Sequence, residues 1–287
     1  MLKGSETYPT FLGIGAQKCG TSWLARMLRQ HPQIALSVKK ELNYFNHVAN
    51  YRKGADWYRG NFSVAPESRA IGEFSPNYFW TTKYFENDRE GVALQNEEVP
   101  RLVHELLPDL KLVVSLRDPV DRAVSSYFHQ IRSGNVKPGE RILDVAHLHG
   151  IESMGYYDIH LENWLKYYPL DRILVLWYES DIRDDRSKRA TLRRTFRHLD
   201  VDDSFEPTGL NDKVNAKRPD FDVRVNHMPF PDAVRRFIKR RVPKFVKERS
   251  LWKIDVAAGE RAKLKERYLP HMERMSLLLG EQHPWQQ

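Results

Sequence analysis

An apolar run, Phe11-Leu12-Gly13-Ile14, leads without a break into Gly15-Ala16-Gln17-Lys18-Cys19-Gly20-Thr21-Ser22, after which Trp23, Leu24, Met27 and Leu28 recur at helical spacing. The pattern predicts a buried strand, a tight loop and a helix start. Glycines let a backbone approach a ligand closely, and the free N–H groups of a helix start point at it. Lys18 adds a full positive charge, and Thr21 and Ser22 add hydroxyl donors. The loop therefore predicts an anion site of phosphate size. Gly15 and Gly20 are separated as in the phosphate loop G-x-x-x-x-G-K-[ST], but Thr21 follows Gly20 directly and Lys18 lies inside the loop. The lysine and hydroxyl that hold outer phosphates and magnesium in triphosphate enzymes are thus not reproduced. A short phosphate or phosphosulfate group suits the loop better. The plain alternative is a strand, turn and helix with an exposed lysine.

A second motif has the same form. Lys111–Leu116 is an apolar run ending in Arg117-Asp118-Pro119, where Asp118 suits an N-cap, Pro119 the first helical position and Asp121 the first turn. Arg122, Ser125 and His129 are spaced to share one helix face, opposite Ala123, Val124, Tyr127, Phe128 and Ile131. That polar stripe is expected to face a cleft. Arg117 offers a planar fork to a phosphate, and with Ser125 makes a second anion site. A capped surface helix with a few polar residues is the alternative. Two anion sites at two strand ends suit a nucleotide phosphorylated at both its 5′ and 3′ positions.

Apolar runs at 11–14, Lys111–Leu116 and 172–177 alternate with helical patterns at 99–107 and 157–167. This predicts an α/β fold, one domain over residues 1–287 with a central, mainly parallel sheet flanked by helices on both faces. Ligands in such sheets bind outside the carboxyl ends of the strands. Residues 201–230 read as a long loop, and 221–287 as a helical, basic part.

The chain has 287 residues and a formal net charge of +8, which favours acidic partners: nucleic acid, anionic lipid, acidic polysaccharide or a polyanionic nucleotide. Arg235, Arg236, Lys239, Arg240, Arg241, Lys244, Lys247 and Arg249 cluster between 235 and 249, as a solvated face or as a docking surface for an acidic substrate. No apolar run is long enough to span a membrane, and the first residues lack the apolar core of a signal peptide. A cytoplasmic protein, or a catalytic domain trimmed of its targeting segment, is expected. Cys19 is the one cysteine, so no intrachain disulfide forms. A helix start and Lys18 would lower its pKa, which leaves a nucleophilic role open beside a loop-filling one.

The two motifs together resemble those of sulfotransferases that use 3′-phosphoadenosine-5′-phosphosulfate (PAPS). The first loop is similar to their 5′-phosphosulfate loop. The second is similar to their 3′-phosphate motif, with arginine and serine eight residues apart, as Arg117 and Ser125 are. Lys39-Lys40-Glu41-Leu42-Asn43-Tyr44-Phe45, Lys53-Gly54-Ala55-Asp56-Trp57-Tyr58 and Gly72-Glu73-Phe74-Ser75-Pro76-Asn77-Tyr78-Phe79 resemble segments of the heparan-type members. Asn215-Ala216-Lys217-Arg218-Pro219 resembles their basic loop over the 3′-phosphate. The likeness runs in order through residues 9–220.

The resemblance implies a phosphate-loop-like architecture and sulfuryl transfer from PAPS, releasing 3′,5′-ADP, to a hydroxyl or amine. The acceptor would be a carbohydrate, such as an acidic polysaccharide or oligosaccharide, or a small hydroxylated molecule; nucleic acid is not expected. Gln17, Lys18, Cys19, Gly20, Thr21 and Ser22 would bind the 5′ end of the donor, and Arg117, Ser125, Lys217 and Arg218 the 3′-phosphate. Lysine and arginine would take the place of a metal, so none is expected. Lys18 would stabilise the leaving bisphosphate. Glu41 matches the family's glutamate base; His129 is the second candidate base and Glu73 the third. Phe74 stands where several heparan O-sulfotransferases carry lysine, and the family's paired cysteines near the basic loop are absent, so the acceptor stays open. A nucleotide-dependent kinase and a non-catalytic module for acidic glycans are the rival readings.

Overall fold

Five parallel strands form one sheet in the order β2-β3-β1-β4-β5, with β1 (Phe11–Gly15) at its centre, β2 (Ile34–Leu36) and β3 (Ala70–Phe74) on one side, and β4 (Lys111–Leu116) and β5 (Ile173–Trp177) on the other. The computed structural model describes residues 8–82, 98–212, 225, 228, 230–241 and 255–285. The helices are α1 (Thr21–Leu28), α2 (Val48–Tyr51), α3 (Gly54–Arg59), α4 (Val99–Leu106), α5 (Pro119–Ser133), α6 (Ile142–Val145), α7 (Tyr157–Leu165), α8 (Asp185–His198), α9 (Asp232–Arg241) and α10 (Ala258–Leu279).

Side chains alternate across the sheet, as the pleat requires. Leu12, Ile14, Leu112 and Val114 enter a core with Val103 of α4, Ala123 and Tyr127 of α5, Trp164 of α7 and Tyr268 of α10. Phe11, Val113 and Leu176 enter a second core with Leu24 and Met27 of α1 and Leu192 and Phe196 of α8. Both faces are covered, so the strands read as nearly continuous apolar runs. At Gly13 the backbone passes so close to the Phe74 ring that a Cβ would lie 2.1 Å from Cδ1.

Two strands escape the sequence reading. β2 is three residues long. β3 contains Gly72 and Glu73 where an apolar run would be expected, yet Glu73 is fully buried.

The topology places the site. β1 and β4 pair in parallel, Phe11 opposite Lys111. From β1 the chain moves through α1 toward β2 and β3; from β4 it moves through α5 toward β5. The loops leaving these neighbouring strands diverge, which opens a crevice at the point where strand order reverses. Part of the expected long loop, residues 201–212, lies back on α1: the Trp23 indole donates to the Leu210 carbonyl at 2.8 Å, and Arg26 pairs with Asp212 at 2.5 Å. No helix among the described residues is long and apolar enough to cross a membrane.

Candidate functional site

The loop after β1 is pinned before it reaches α1. The Ala16 amide donates to the Ser115 carbonyl at 2.8 Å, and the Ser115 hydroxyl donates to the Cys19 carbonyl at 2.5 Å. Lys18 and Gly20 both have positive φ, 70° and 90°. Gly20 is the N-cap of α1 and gives it no side-chain cap, so the first amides of the helix are open to an anion. A Cβ on Gly20 would lie 3.0 Å from the Tyr178 ring, in a backbone conformation that already favours glycine. Burial, then the charges of Arg132 and Arg117 and, more weakly, Lys40, pulls the Lys18 ammonium down to about 8. This crowding of cations is what a polyanion would relieve. Lys40 also donates to the Ser22 hydroxyl at 2.6 Å.

Cys19 takes the loop-filling role rather than the nucleophilic one. It is fully buried, its Sγ 3.8 Å from the Tyr157 hydroxyl, and burial pushes the thiol up to about 11. Desolvation outweighs the nearby cations, so the side chain fills the loop, and the backbone N–H and carbonyl are taken by Ala16 and Ser115. The Gln17 carboxamide N–H reaches Asn77 at 3.5 Å.

The loop after β4 is built from side chains. Asp118 caps α5 by accepting the Asp121 amide at 2.8 Å. The Arg117 guanidinium lies 5.0 Å over the Tyr178 ring and 3.4 Å from Asp121, and its Nε is buried with no hydrogen-bond partner among the described residues. Such an orphaned donor suits an absent acceptor. Tyr178 thus walls both loops.

The expected stripe on α5 loses one member. Arg122 is fully buried and donates to the Gly150 and Ile151 carbonyls, so it supports the fold and does not face the crevice. Ser125 and His129 are partly exposed, and Arg132 follows them on the same helical face. Its charge reaches Lys18, which turns this face toward the first loop.

The two candidate carboxylates occupy opposite environments. The Glu41 side chain is 46% exposed and 3.0 Å from the Lys40 ammonium, which places Ser22, Lys40 and Glu41 together. Glu73, the third candidate base, is fully buried and accepts from Tyr58, Tyr78, Ser75 and the Leu42 amide, at 3.0, 2.9, 2.7 and 3.3 Å. Burial raises its pKa. Every oxygen has donors within the protein, so it cannot collect an acceptor's proton in the crevice; instead it anchors the backbone that presents Glu41. Phe74 is also turned inward, against Gly13 and Phe11. Lys217 and Arg218 lie outside the described residues.

Sequence reasoning passed over Lys40, Arg132 and Tyr178 as site residues. Arg132 had a usable signal, since it continues the Ser125 and His129 face by one turn. Tyr178 had none, because its role arises from the packing of three strand ends.

A profile of the sulfotransferase domain matches residues 9–202. Mouse heparan sulfate glucosamine 3-O-sulfotransferase 6 is 32% identical over 190 residues, covering 63% of this chain and 50% of the relative. Human bifunctional heparan sulfate N-deacetylase/N-sulfotransferase 2 is 32% identical over 195 residues, covering 61% of this chain and 20% of that protein. The chain therefore spans half or less of these two relatives. Among solved structures, a sulfotransferase from Alicyclobacillus acidocaldarius superposes with a TM-score of 0.67 at 21% identity, over 96% of this chain and 98% of that one. Mouse sulfotransferase SULT7A1 complexed with PAP gives 0.50 at 17% identity, over 96% and 86%.

Proposed function

The chain belongs to the sulfotransferase family, and from that membership we propose that it transfers a sulfuryl group from PAPS to a hydroxyl or amine of a carbohydrate or small hydroxylated acceptor. One observation carries the reading. An uncapped helix start with Lys18 and a second cationic fork at Arg117, its Nε lacking a partner among the described residues, both border one tyrosine at the switch point of the sheet. A nucleotide with phosphate at both ends is the ligand this pairing suits.

In-line transfer at sulfur needs alignment, a base for the acceptor and stabilisation of the leaving group. The α1 amides at Gly20, Thr21 and Ser22 and the Lys18 ammonium hold the 5′ end and take up negative charge as the bond from sulfur to the bridging phosphate oxygen breaks. Arg117 and Ser125, with Lys217 and Arg218, hold the 3′-phosphate. The acceptor's proton passes to Glu41, with His129 as the second candidate, while the new bond to sulfur forms; 3′,5′-ADP leaves. The relatives named for heparan sulfate support a carbohydrate acceptor. Residues 1–287 act as one catalytic unit in this reading.

Thermal unfolding with 3′,5′-ADP, ADP, and ATP with magnesium tests the donor. Stabilisation by 3′,5′-ADP of about 2.7 kcal/mol at a hundredfold excess over Kd is expected, with little effect of the others. An equal or larger response to ATP with magnesium sinks the proposal. For the base, Glu41→Gln should lower kcat by about 10²- to 10⁴-fold with an unchanged Tm.

A further inference from the structure

We propose that Trp285 is a positioning residue for 3′-phosphate recognition, acting on the Arg117–Asp118 peptide through Glu179 and Tyr157. The inference rests on the reading that Arg117 binds the 3′-phosphate. Trp285 lies outside the segment matched by the family profile.

The chain turns at Gly280, φ 66°, after α10, and returns to the strand ends. His283 and Trp285 are 4% and 6% exposed, so this segment is packed rather than draped. The Trp285 indole N–H donates to Glu179 Oε2 at 2.8 Å. The other oxygen of that carboxylate accepts the Asp118 amide at 3.1 Å. The Trp285 ring centroid is also 5.8 Å from that of Tyr157, whose hydroxyl donates to the Arg117 carbonyl at 2.8 Å. The Arg117 carbonyl and the Asp118 amide belong to one peptide plane. Both of its polar groups are therefore taken, from opposite ends, by side chains that Trp285 touches. That plane joins the residue bearing the guanidinium fork to the N-cap of α5, and its rotation would swing the fork. The Tyr157 hydroxyl also lies 3.8 Å from the Cys19 Sγ, but the first loop is pinned independently by Ser115, at Ala16 and at Cys19.

Trp285 is itself fixed. It packs edge-on against Trp177 at 5.0 Å and stacks on His283 at 5.2 Å, while the Trp177 indole donates to Glu281 at 3.1 Å. A packing role alone predicts lost stability whichever ligand is used. A positioning role predicts a selective loss: the contribution of the 3′-phosphate falls, and that of the rest of the nucleotide does not.

The test is calorimetric titration of 3′,5′-ADP and 5′-AMP into the full chain, as wild type, Trp285→Ala, Trp285→Phe and Arg117→Ala. Wild type should prefer 3′,5′-ADP, and Arg117→Ala should cut that preference by about 10- to 100-fold. Trp285→Ala should cut the ratio of the two affinities by about three- to tenfold, the worth of one or two hydrogen bonds, with 5′-AMP affinity unchanged. Trp285→Phe keeps a ring and loses the N–H, and should fall between. The KM for PAPS should rise while kcat at saturation holds. A lowered Tm with an unchanged ratio in Trp285→Ala overturns the proposal; if that variant does not fold, an unchanged ratio in Trp285→Phe does so. A wild-type ratio near one removes the 3′-phosphate reading itself, and the proposal falls with it.

Discussion

The loops after β1 and after β4 do similar work by different means. The first is assembled from consecutive residues: amides of a helix start, one lysine, two hydroxyls and a glycine at φ 90°. The second borrows nearly everything. Its arginine lies over Tyr178, its peptide plane is held by Glu179 and Tyr157, and Asp121 is shared between Arg117 and Arg261 of α10, 2.5 Å away. The first loop takes from outside itself the two Ser115 pins, the Tyr157 contact and the Tyr178 wall. The second holds its geometry only as well as its many side-chain supports do, so substitutions far along the chain should disturb the second loop more than the first.

The largest effect should come from Lys18→Ala. Turnover falls by about 10²- to 10³-fold, as for removal of one preorganised donor at a developing anion, while Tm barely moves. A large loss of stability would mean the first loop is not self-contained. Next, Arg117→Ala should weaken 3′,5′-ADP by about 10- to 100-fold, the worth of one charge-assisted hydrogen bond. Equal weakening of 5′-AMP would show that the two loops do not read separate phosphates. Gly20→Ala should cost about 1–2 kcal/mol for the left-handed backbone alone. The added methyl also presses on Tyr178. Differential scanning calorimetry measures the cost, and a neutral result would break the claim that Gly20 is conformationally required.

The smallest effect concerns pH. The Lys18 pKa is pulled down to about 8, so the free ammonium is charged below that pH and lost as pH rises through it. Affinity for 3′,5′-ADP should therefore decline above about pH 8, and binding there should take up protons, because a bound anion restores the charge. Arg132→Gln removes the largest opposing cation and should move the decline to higher pH. A break that stays in place would show that Arg132 does not help to set the value.

What could be read in advance follows the same division. β1, β4 and β5 are apolar runs ending in signals for turns and caps, and the first loop is contiguous, so both were legible. β3 was hidden because Glu73 reads as a surface residue; only the structure shows four donors converging on it. On α5, Ser125 and His129 keep the expected partly exposed face, and Arg122 alone departs from it. Helical spacing says which residues are neighbours, not which way they turn, and Arg122 was claimed by carbonyls of residues 150 and 151. Lys40 and Arg132 enter the site only through tertiary proximity to Ser22 and Lys18. Of the two roles open to Cys19, the structure keeps the loop-filling one, since the cost of burying a thiolate exceeds the help from nearby cations.

The Tyr178 ring touches the place where a Gly20 side chain would stand and carries the Arg117 guanidinium on its face, so in the proposed reading one ring spaces the two phosphate sites. The crevice then works as a fixed gauge. A ligand whose two charged ends match the span pays for its immobilisation once and engages both ends at high effective concentration; one that is too short or too long can engage a single end and loses that multiplication. Selectivity of this kind measures length rather than chemical identity, and widening or narrowing the residue at 178 would recalibrate it.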